Sequence, residues 1–350
     1  MEYTKLGNTG LTVSRICFGC MWFGKPGNGG IDVRFGESEA REVIRYAWDQ
    51  GVNFFDTANM YTDSEEKLGM ALHDVRQNVV IATKSAATDK KKALAHIEES
   101  LRRLQTDYID LFQFHNPAVL PDPEDPEGAF AAALEMKEKG YIRHIGITNH
   151  RLHIAKAAIE SGHFETLQFP FCHISGQQEL DLVKSCKEHD LGFIAMKGLS
   201  GGLLNNATAC HAFMAQFDNV VPIWGIQHEW ELDQWLELAE KGQGMTPELQ
   251  AVIEKDRAEL AGNFCRSCGY CLPCAAGIDI PQAARMWALL RRAPYQQYMT
   301  DEWYAKMHKI EECVHCDACK SRCPFGLDTP ALLIEQLRDY DAFYAVHHND

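Results

Sequence analysis

The chain has 350 residues, 46% of them hydrophobic, and a net charge of −15 at pH 7. That length exceeds the roughly 250 residues of one (β/α)8 barrel and leaves room for a small second domain. The acidic balance argues against nucleic acid or an anionic membrane as partner, and no apolar run approaches the ~18 residues of a membrane span.

The opening Met1-Glu2-Tyr3-Thr4-Lys5 has no apolar signal core, and a cytoplasmic location is the expectation. Residues 3–13 read as a short hairpin turning at Gly7-Asn8-Thr9-Gly10, with a first strand near 15–19. A glycine-rich loop (Gly24, Gly27, Gly29, Gly30) follows, flanked by Trp22 and Phe23. Helix 38–50 opens on Ser38 as N-cap. Then strands and helices alternate: strand 52–56, helix 64–72, strand 79–84, helix 89–104 and strand 109–115. After an acidic, proline-rich loop from Pro117 to Pro126 come helix 128–139, strand 143–148, helix 150–161, strand 166–169 and helix 177–189. Strand 192–196, a helical region 202–217, strand 219–224 and helix 230–240 complete eight strands alternating with eight helices, a closed parallel barrel. An open doubly wound sheet is the rival, but no Gly-x-Gly-x-x-Gly follows the first strand. The barrel takes residues 1–241 and a linker with its helix 242–261. A smaller, mainly helical domain takes 262–350, with helical stretches at 248–261, 281–310 and 330–345.

Three barrel strands end on an ionisable side chain or lead straight to one. Asn53-Phe54-Phe55 runs into Asp56, with Tyr61 five residues on; Val79-Val80-Ile81-Ala82-Thr83 ends on Lys84; Tyr108 to Phe114 ends on His115. Singly, each has an ordinary reading as an ion pair, a core histidine or a loop cap. Together they lie at the strand C-termini, where barrels of this kind carry their chemistry. Lys84 is expected to lower the pKa of the Tyr61 phenol, and Asp56 to hold the ammonium in place.

With these residues in view, the chain resembles an aldo-keto reductase over residues 1 to about 240, from Lys5-Leu6-Gly7 and Gly10-Leu11-Thr12-Val13-Ser14 onward. The resemblance implies a nicotinamide cofactor, a small carbonyl or alcohol substrate, and catalysis by Asp56, Tyr61, Lys84 and His115. It places Thr148, Asn149 and Gln168 at the nicotinamide amide, although Asn149 reads equally as a helix N-cap. Ser200, Gly201 and Gly225 are candidate contacts elsewhere along the cofactor, the first two through backbone N–H groups at the pyrophosphate. The chain departs from the family pattern at Met196, where a stacking Tyr is common, and at Cys172, where Asn is usual. Between Asp218 and Glu240 there is no Lys or Arg, and the segment holds Glu229, Glu231, Asp233 and Gln234-Trp235. Like charges repel a 2′-phosphate, so the expected cofactor is NADH in preference to NADPH.

Of 13 cysteines, eight form two runs. Cys313-x2-Cys316-x2-Cys319-x3-Cys323-Pro324 has the bacterial ferredoxin spacing, and Cys265-x2-Cys268-x2-Cys271-x2-Cys274 is one residue shorter. Two [4Fe–4S] clusters are expected. By the ferredoxin rule Cys323 joins Cys265, Cys268 and Cys271, and Cys274 joins Cys313, Cys316 and Cys319. Each run holding its own cluster remains open, and two zinc sites are the competing reading. The runs also resemble the C-terminal domain of a ferredoxin-bearing branch of the aldo-keto reductases. Cys17, Cys20, Cys172, Cys186, Cys210, His173 and His228 receive no role. Trp22 and Phe171 fit a substrate pocket and aromatic core packing equally well.

The reading is a nicotinamide-dependent reductase that exchanges electrons with a ferredoxin- or flavodoxin-like carrier through its clusters. The alternatives are an iron–sulfur docking or electron-transfer protein whose barrel binds a substrate without nicotinamide turnover, and a barrel fed directly by the clusters.

Overall fold

A computed structural model describes residues 1–23, 36–226, 228–242, 244–260 and 264–348. The loop glycines Gly24, Gly27, Gly29 and Gly30 and the side chain of Trp22 lie outside the described residues. The described residues of 1–27, 32–198 and 206–254 make one compact unit, and those of 199–205 and 255–350 another.

The first unit opens with the hairpin β1 (Tyr3–Lys5) and β2 (Thr12–Ser14), paired antiparallel. Then come β3 (Cys17–Gly19), α1 (Glu37–Asp49), β4 (Phe54–Asp56), α2 (Ser64–Leu72), β5 (Val80–Ser85), α3 (Lys90–Arg103), β6 (Ile109–His115) and α4 (Ala129–Glu138). They continue as β7 (Ile142–Thr148), α5 (Leu152–Ser161), β8 (Thr166–Pro170), α6 (Gln177–Glu188), β9 (Gly192–Met196), α7 (Ala207–Met214), β10 (Val220–Gly225) and α8 (Glu229–Lys241). Strands β3 to β10 form a closed parallel barrel in chain order, β10 pairing with β3. The strands are buried on both faces and so read as continuous apolar runs, not alternating ones.

The hairpin closes the barrel floor. Leu6 and Val13 join Cys17, Phe54, Val80, Ala82, Leu111, Ile194 and Val221 in one buried cluster. Asn8 N donates to Asp190 O at 2.8 Å, and a Cβ on Gly7, whose φ is +54°, would fall 2.2 Å from Gly192 N. Only glycine permits that approach.

Two expected helices change their bounds. The N-cap of α1 is Gly36, not Ser38, and its N–H donates to Glu39 Oε2 at 3.0 Å. Within 202–217 only Ala207–Met214 is α-helix. The residues ahead of it bend through positive φ at Ser200, Gly201 and Gly202 (50°, 70° and 88°). Asn206 then caps the helix by accepting from Ala209 N at 2.9 Å.

After α9 (Pro247–Glu259), the second unit carries α10 (Ile280–Ala283), α11 (Met286–Arg292), α12 (Asp301–His308), α13 (Ala318–Arg322) and α14 (Thr329–His347). The expected stretch 281–310 is thus broken. Pro294, just past α11, lacks the N–H that a continuing helix needs. Among the described residues no helix is long and apolar enough to cross a membrane.

Replacing Leu111 by Ala should lower the unfolding free energy by about 2–5 kcal/mol, the range for a large-to-small change in a packed core. A shift below ~1 kcal/mol in denaturant titration would show that the floor cluster is not a tightly packed core.

Candidate active site and cysteine cavities

Asp56 is the last residue of β4, Lys84 the penultimate residue of β5 and His115 the last of β6. Parallel pairing brings their strand ends to one rim: Gly19 opposes Asp56, Lys84 opposes Gln113, and His115, Thr148 and Gln168 lie in register. Tyr61 lies beyond β4, in a turn where its N–H donates to Ala58 O at 2.9 Å.

Lys84 is 1% exposed and Asp56 4%. Lys84 Nζ donates to Asp56 Oδ1 at 2.5 Å and to Thr57 O at 2.6 Å. Gln113 Nε2 donates to Asp56 Oδ2 at 3.3 Å. Burial raises the Asp56 pKa, while Lys84, Gln113 and Gln168 oppose that rise by stabilising the carboxylate. The same ammonium lies 5.3 Å from the centre of the Tyr61 ring, and the Tyr61 and His115 rings meet edge-on at 5.8 Å.

The expectation for Tyr61 is reversed. Its pKa is raised, first by burial, then by Asp56 and the Cys20 thiol. With Asp56 at 2.5 Å, the charge of Lys84 is compensated locally and does little to favour a phenolate. Tyr61 therefore holds its proton. His115 is lowered to about 3, by burial and then by Lys84, so its ring is neutral. Its Nδ1 is buried with no partner.

Thr148 and Gln168 are buried at the same rim. Gln168 reaches Asp56, yet its Oε1 is a buried acceptor with no partner. Asn149 makes a local turn: its Oδ1 accepts from His150 N and Arg151 N at 2.9 and 2.8 Å, and its Nδ2 donates to Pro117 O at 2.8 Å. Gly225 ends β10, opposite Gly19. Ser200 and Gly201 belong to the second unit, where Arg285 Nη1 donates to Gly201 O. Phe171 packs against Phe193, Phe213 and Phe217 and belongs to the core. Cys17 and Cys20 are buried free thiols with raised pKa values, chiefly through burial. Cys210 Sγ lies 3.6 Å from His173 Nδ1 within the core.

Sequence reasoning missed Gln113. The available signal was its place two residues before His115, which in a strand puts both side chains on the same face.

In the second unit the eight cysteines line two cavities. One is lined by Cys265, Cys268, Cys271 and Cys323; the other by Cys271, Cys274, Cys313, Cys316 and Cys319. Cys271 borders both. Burial, then Cys265 and Cys268, push its thiol up to about 12; Cys319 is raised by burial, with Cys313 and Cys274 adding to it.

The two runs repeat a backbone conformation. Ser267 and His315, each two residues into its run, have φ of 50° and 51°; Gly269 and Asp317, each after the second cysteine, have 79° and 53°. Left-handed residues of this kind turn successive N–H groups toward a concavity that suits anions, including iron–sulfur centres. Ser267 N already donates to Cys265 Sγ at 3.4 Å. Four thiols and a backbone N–H directed at sulfur suit an iron–sulfur cluster.

Residues 15–252 match the Aldo/keto reductase family, and residues 264–328 match a 4Fe-4S dicluster domain. The chain belongs to the aldo/keto reductase family and carries a 4Fe-4S dicluster domain after its barrel. It is similar to the aldo-keto reductase YhdN of Bacillus subtilis (strain 168), at 33% identity over 219 residues, covering 58% of this chain and 64% of that protein. The uncharacterized oxidoreductase YrpG of the same organism is 33% identical over 234 residues, covering 58% and 68%. The chain thus spans about two thirds of the length of these relatives. The solved holo form of aldo-keto reductase AKR11C1 from Bacillus halodurans shares the fold, with a TM-score of 0.62 at 22% identity over 73% of this chain and 96% of that one.

A histidine held at about 3 in the fold and near 6.5 when unfolded takes up its proton only on unfolding. His115 should therefore make the protein less stable as pH falls from about 6.5 toward 3. Replacing His115 by Gln should flatten this part of the pH profile of the denaturation midpoint; equal slopes in variant and wild type would show that His115 ionises in the folded protein.

Proposed function

We propose that the chain is an oxidoreductase that reduces a small carbonyl compound, or oxidises the matching alcohol, with NADH, and that it exchanges electrons through two [4Fe–4S] clusters. The observation that carries this reading is the buried Lys84–Asp56 pair beside a protonated Tyr61 and a neutral His115 at the strand C-termini. When bound, a nicotinamide would supply a hydride to the carbonyl carbon, and the clusters would take up or release single electrons.

The chain's own groups do the rest. Tyr61 Oη gives its proton to the oxygen as alkoxide charge develops. His115, neutral, donates from one ring nitrogen to the same oxygen and fixes its direction. Asp56 keeps Lys84 in place through the bonds from Lys84 Nζ and Gln113 Nε2.

Gln168 Oε1, an acceptor lacking a partner, fits a carboxamide N–H. Thr148, Asn149 and Gly225 are assigned alongside it, and Ser200 and Gly201 keep the pyrophosphate assignment made from their sequence pattern. The preference for NADH rests on Glu229 and Glu231 in the first turn of α8 and on Asp233, which accepts from Tyr46 Oη at 2.7 Å.

One cluster is assigned to Cys265, Cys268, Cys271 and Cys323, and the other to Cys274, Cys313, Cys316 and Cys319. Cys316 is exposed, and Val314 beside it is 61% exposed. The second cluster is therefore the one offered to an electron carrier from solution.

Anaerobically purified protein should carry about eight irons per chain, the content of two four-iron clusters, and NADH should bleach its visible absorption. Tyr61→Phe should slow NADH-dependent carbonyl turnover by about 10²–10⁴-fold, the range for loss of a positioned proton donor, with NADH affinity retained. Iron without bleaching, and a Tyr61→Phe variant at wild-type rate, would move the reading to a docking or electron-transfer protein. Zinc in place of iron would end the electron-transfer part. Calorimetric titration should give tighter NADH than NADPH binding; the reverse order would overturn the cofactor preference.

A further inference from the structure

The two cysteine cavities are not electrostatically equivalent. Arg285, between α10 and α11, is 7% exposed. Its Nη1 donates to Gly201 O and its Nη2 to Gln282 Oε1 at 3.0 Å, while its Nε is buried with no partner. Among the described residues no carboxylate forms an ion pair with it. A buried cation without an anion is unfavourable by several kcal/mol, so the site asks for negative charge.

The cysteine loop is where that charge would come from. A Cβ on Gly201 would lie 2.9 Å from Arg285 Nη1, 3.7 Å from Arg266 O and 3.7 Å from Ser267 Cβ. The guanidinium and the loop between Cys265 and Cys268 therefore meet around one glycine. Ala284, adjacent to Arg285, lines the Cys265–Cys323 cavity, as does Arg266. Cys265 is the first of the groups whose negative charge favours the Arg285 cation, ahead of Tyr298 and Asp279. By contrast, the lining of the Cys274–Cys319 cavity includes no Lys or Arg, and its one charged side chain is Asp317.

We propose that Arg285 is a positioning residue for electrons: its buried guanidinium stabilises the reduced state of the cluster held by Cys265, Cys268, Cys271 and Cys323 and sets that cluster's reduction potential above its twin's. The inference rests on the cluster assignment proposed above. One-electron reduction adds negative charge to a group already ligated by four thiolates, and net charge and hydrogen bonds to sulfur set such potentials. Electrons entering at the exposed Cys316 side would then come to rest beside Arg285.

The test is a potentiometric titration, followed by electron paramagnetic resonance, of the full chain with its clusters reconstituted. Wild type should show two one-electron midpoints. Arg285→Gln should reduce the ratio of reduced to oxidised cluster at least tenfold at the higher midpoint, a drop of about 59 mV, and leave the lower one in place. Arg285→Lys, which keeps the charge, should stay within half that drop. Unmoved midpoints in Arg285→Gln, movement of the lower one, or an equal fall in Arg285→Lys would overturn the proposal. If Arg285→Gln does not hold its iron, Gln282→Glu sets a carboxylate against Nη2 with almost no change of shape. It should lower the same midpoint, and an unchanged midpoint overturns the proposal. Wild type without two cluster signals would overturn the cluster assignment itself.

Discussion

The ion pair between Lys84 and Asp56 governs the barrel's rim. Both groups are removed from water, and a buried ammonium or carboxylate alone is strongly destabilising. Each is made tolerable by the other and by further bonds, from Lys84 to Thr57 O and from Gln113 to Asp56. That arrangement needs β4, β5 and β6 side by side with their ends level. The parallel register, with Asp56 opposite Ala82 and Lys84 opposite Gln113, provides it.

Local charge balance has consequences for the neighbours. A lone ammonium would drive Tyr61 toward phenolate. A neutralised one leaves burial in control, so Tyr61 keeps its proton and His115 stays uncharged. In the proposed reaction that proton is released only where an alkoxide forms.

The second unit solves a different problem with a different device. Its two cysteine runs place left-handed residues at matching positions, and three of the four, Ser267, His315 and Asp317, are not glycine. Such conformations are unfavourable by about 1–2 kcal/mol for L-residues and persist where the surrounding structure fixes them. Here Ser267 turns its N–H to Cys265 Sγ. The duplication is exact in spacing for three cysteines of each run and breaks at the fourth. The cavities divide accordingly: Cys323 lines the space of the first run and Cys274 that of the second.

The alternation of apolar runs and helical periods was enough to read the barrel, and strand-ending Asp56, Lys84 and His115 were enough to read its rim. These features are local: a side chain at the end of a buried strand has one place to go. The cysteine spacing likewise carried the cluster motif, since ligand geometry constrains short loops directly. Other features depended on neighbours distant in sequence. Gln113 could be placed on the Asp56 face by period but not bonded to it. The N-cap of α1 fell to Gly36 because Glu39 turns back to its N–H, a choice Ser38 did not reveal. The protonated state of Tyr61 followed from burial, which no residue identity encodes. The link from Arg285 to Gly201 joins positions 84 residues apart. Sequence by itself determined the elements, the ligand spacing and the residue types at the rim. Only the tertiary structure decided which charges cancel and which are left unpaired, because that depends on distance and desolvation once the chain has closed on itself.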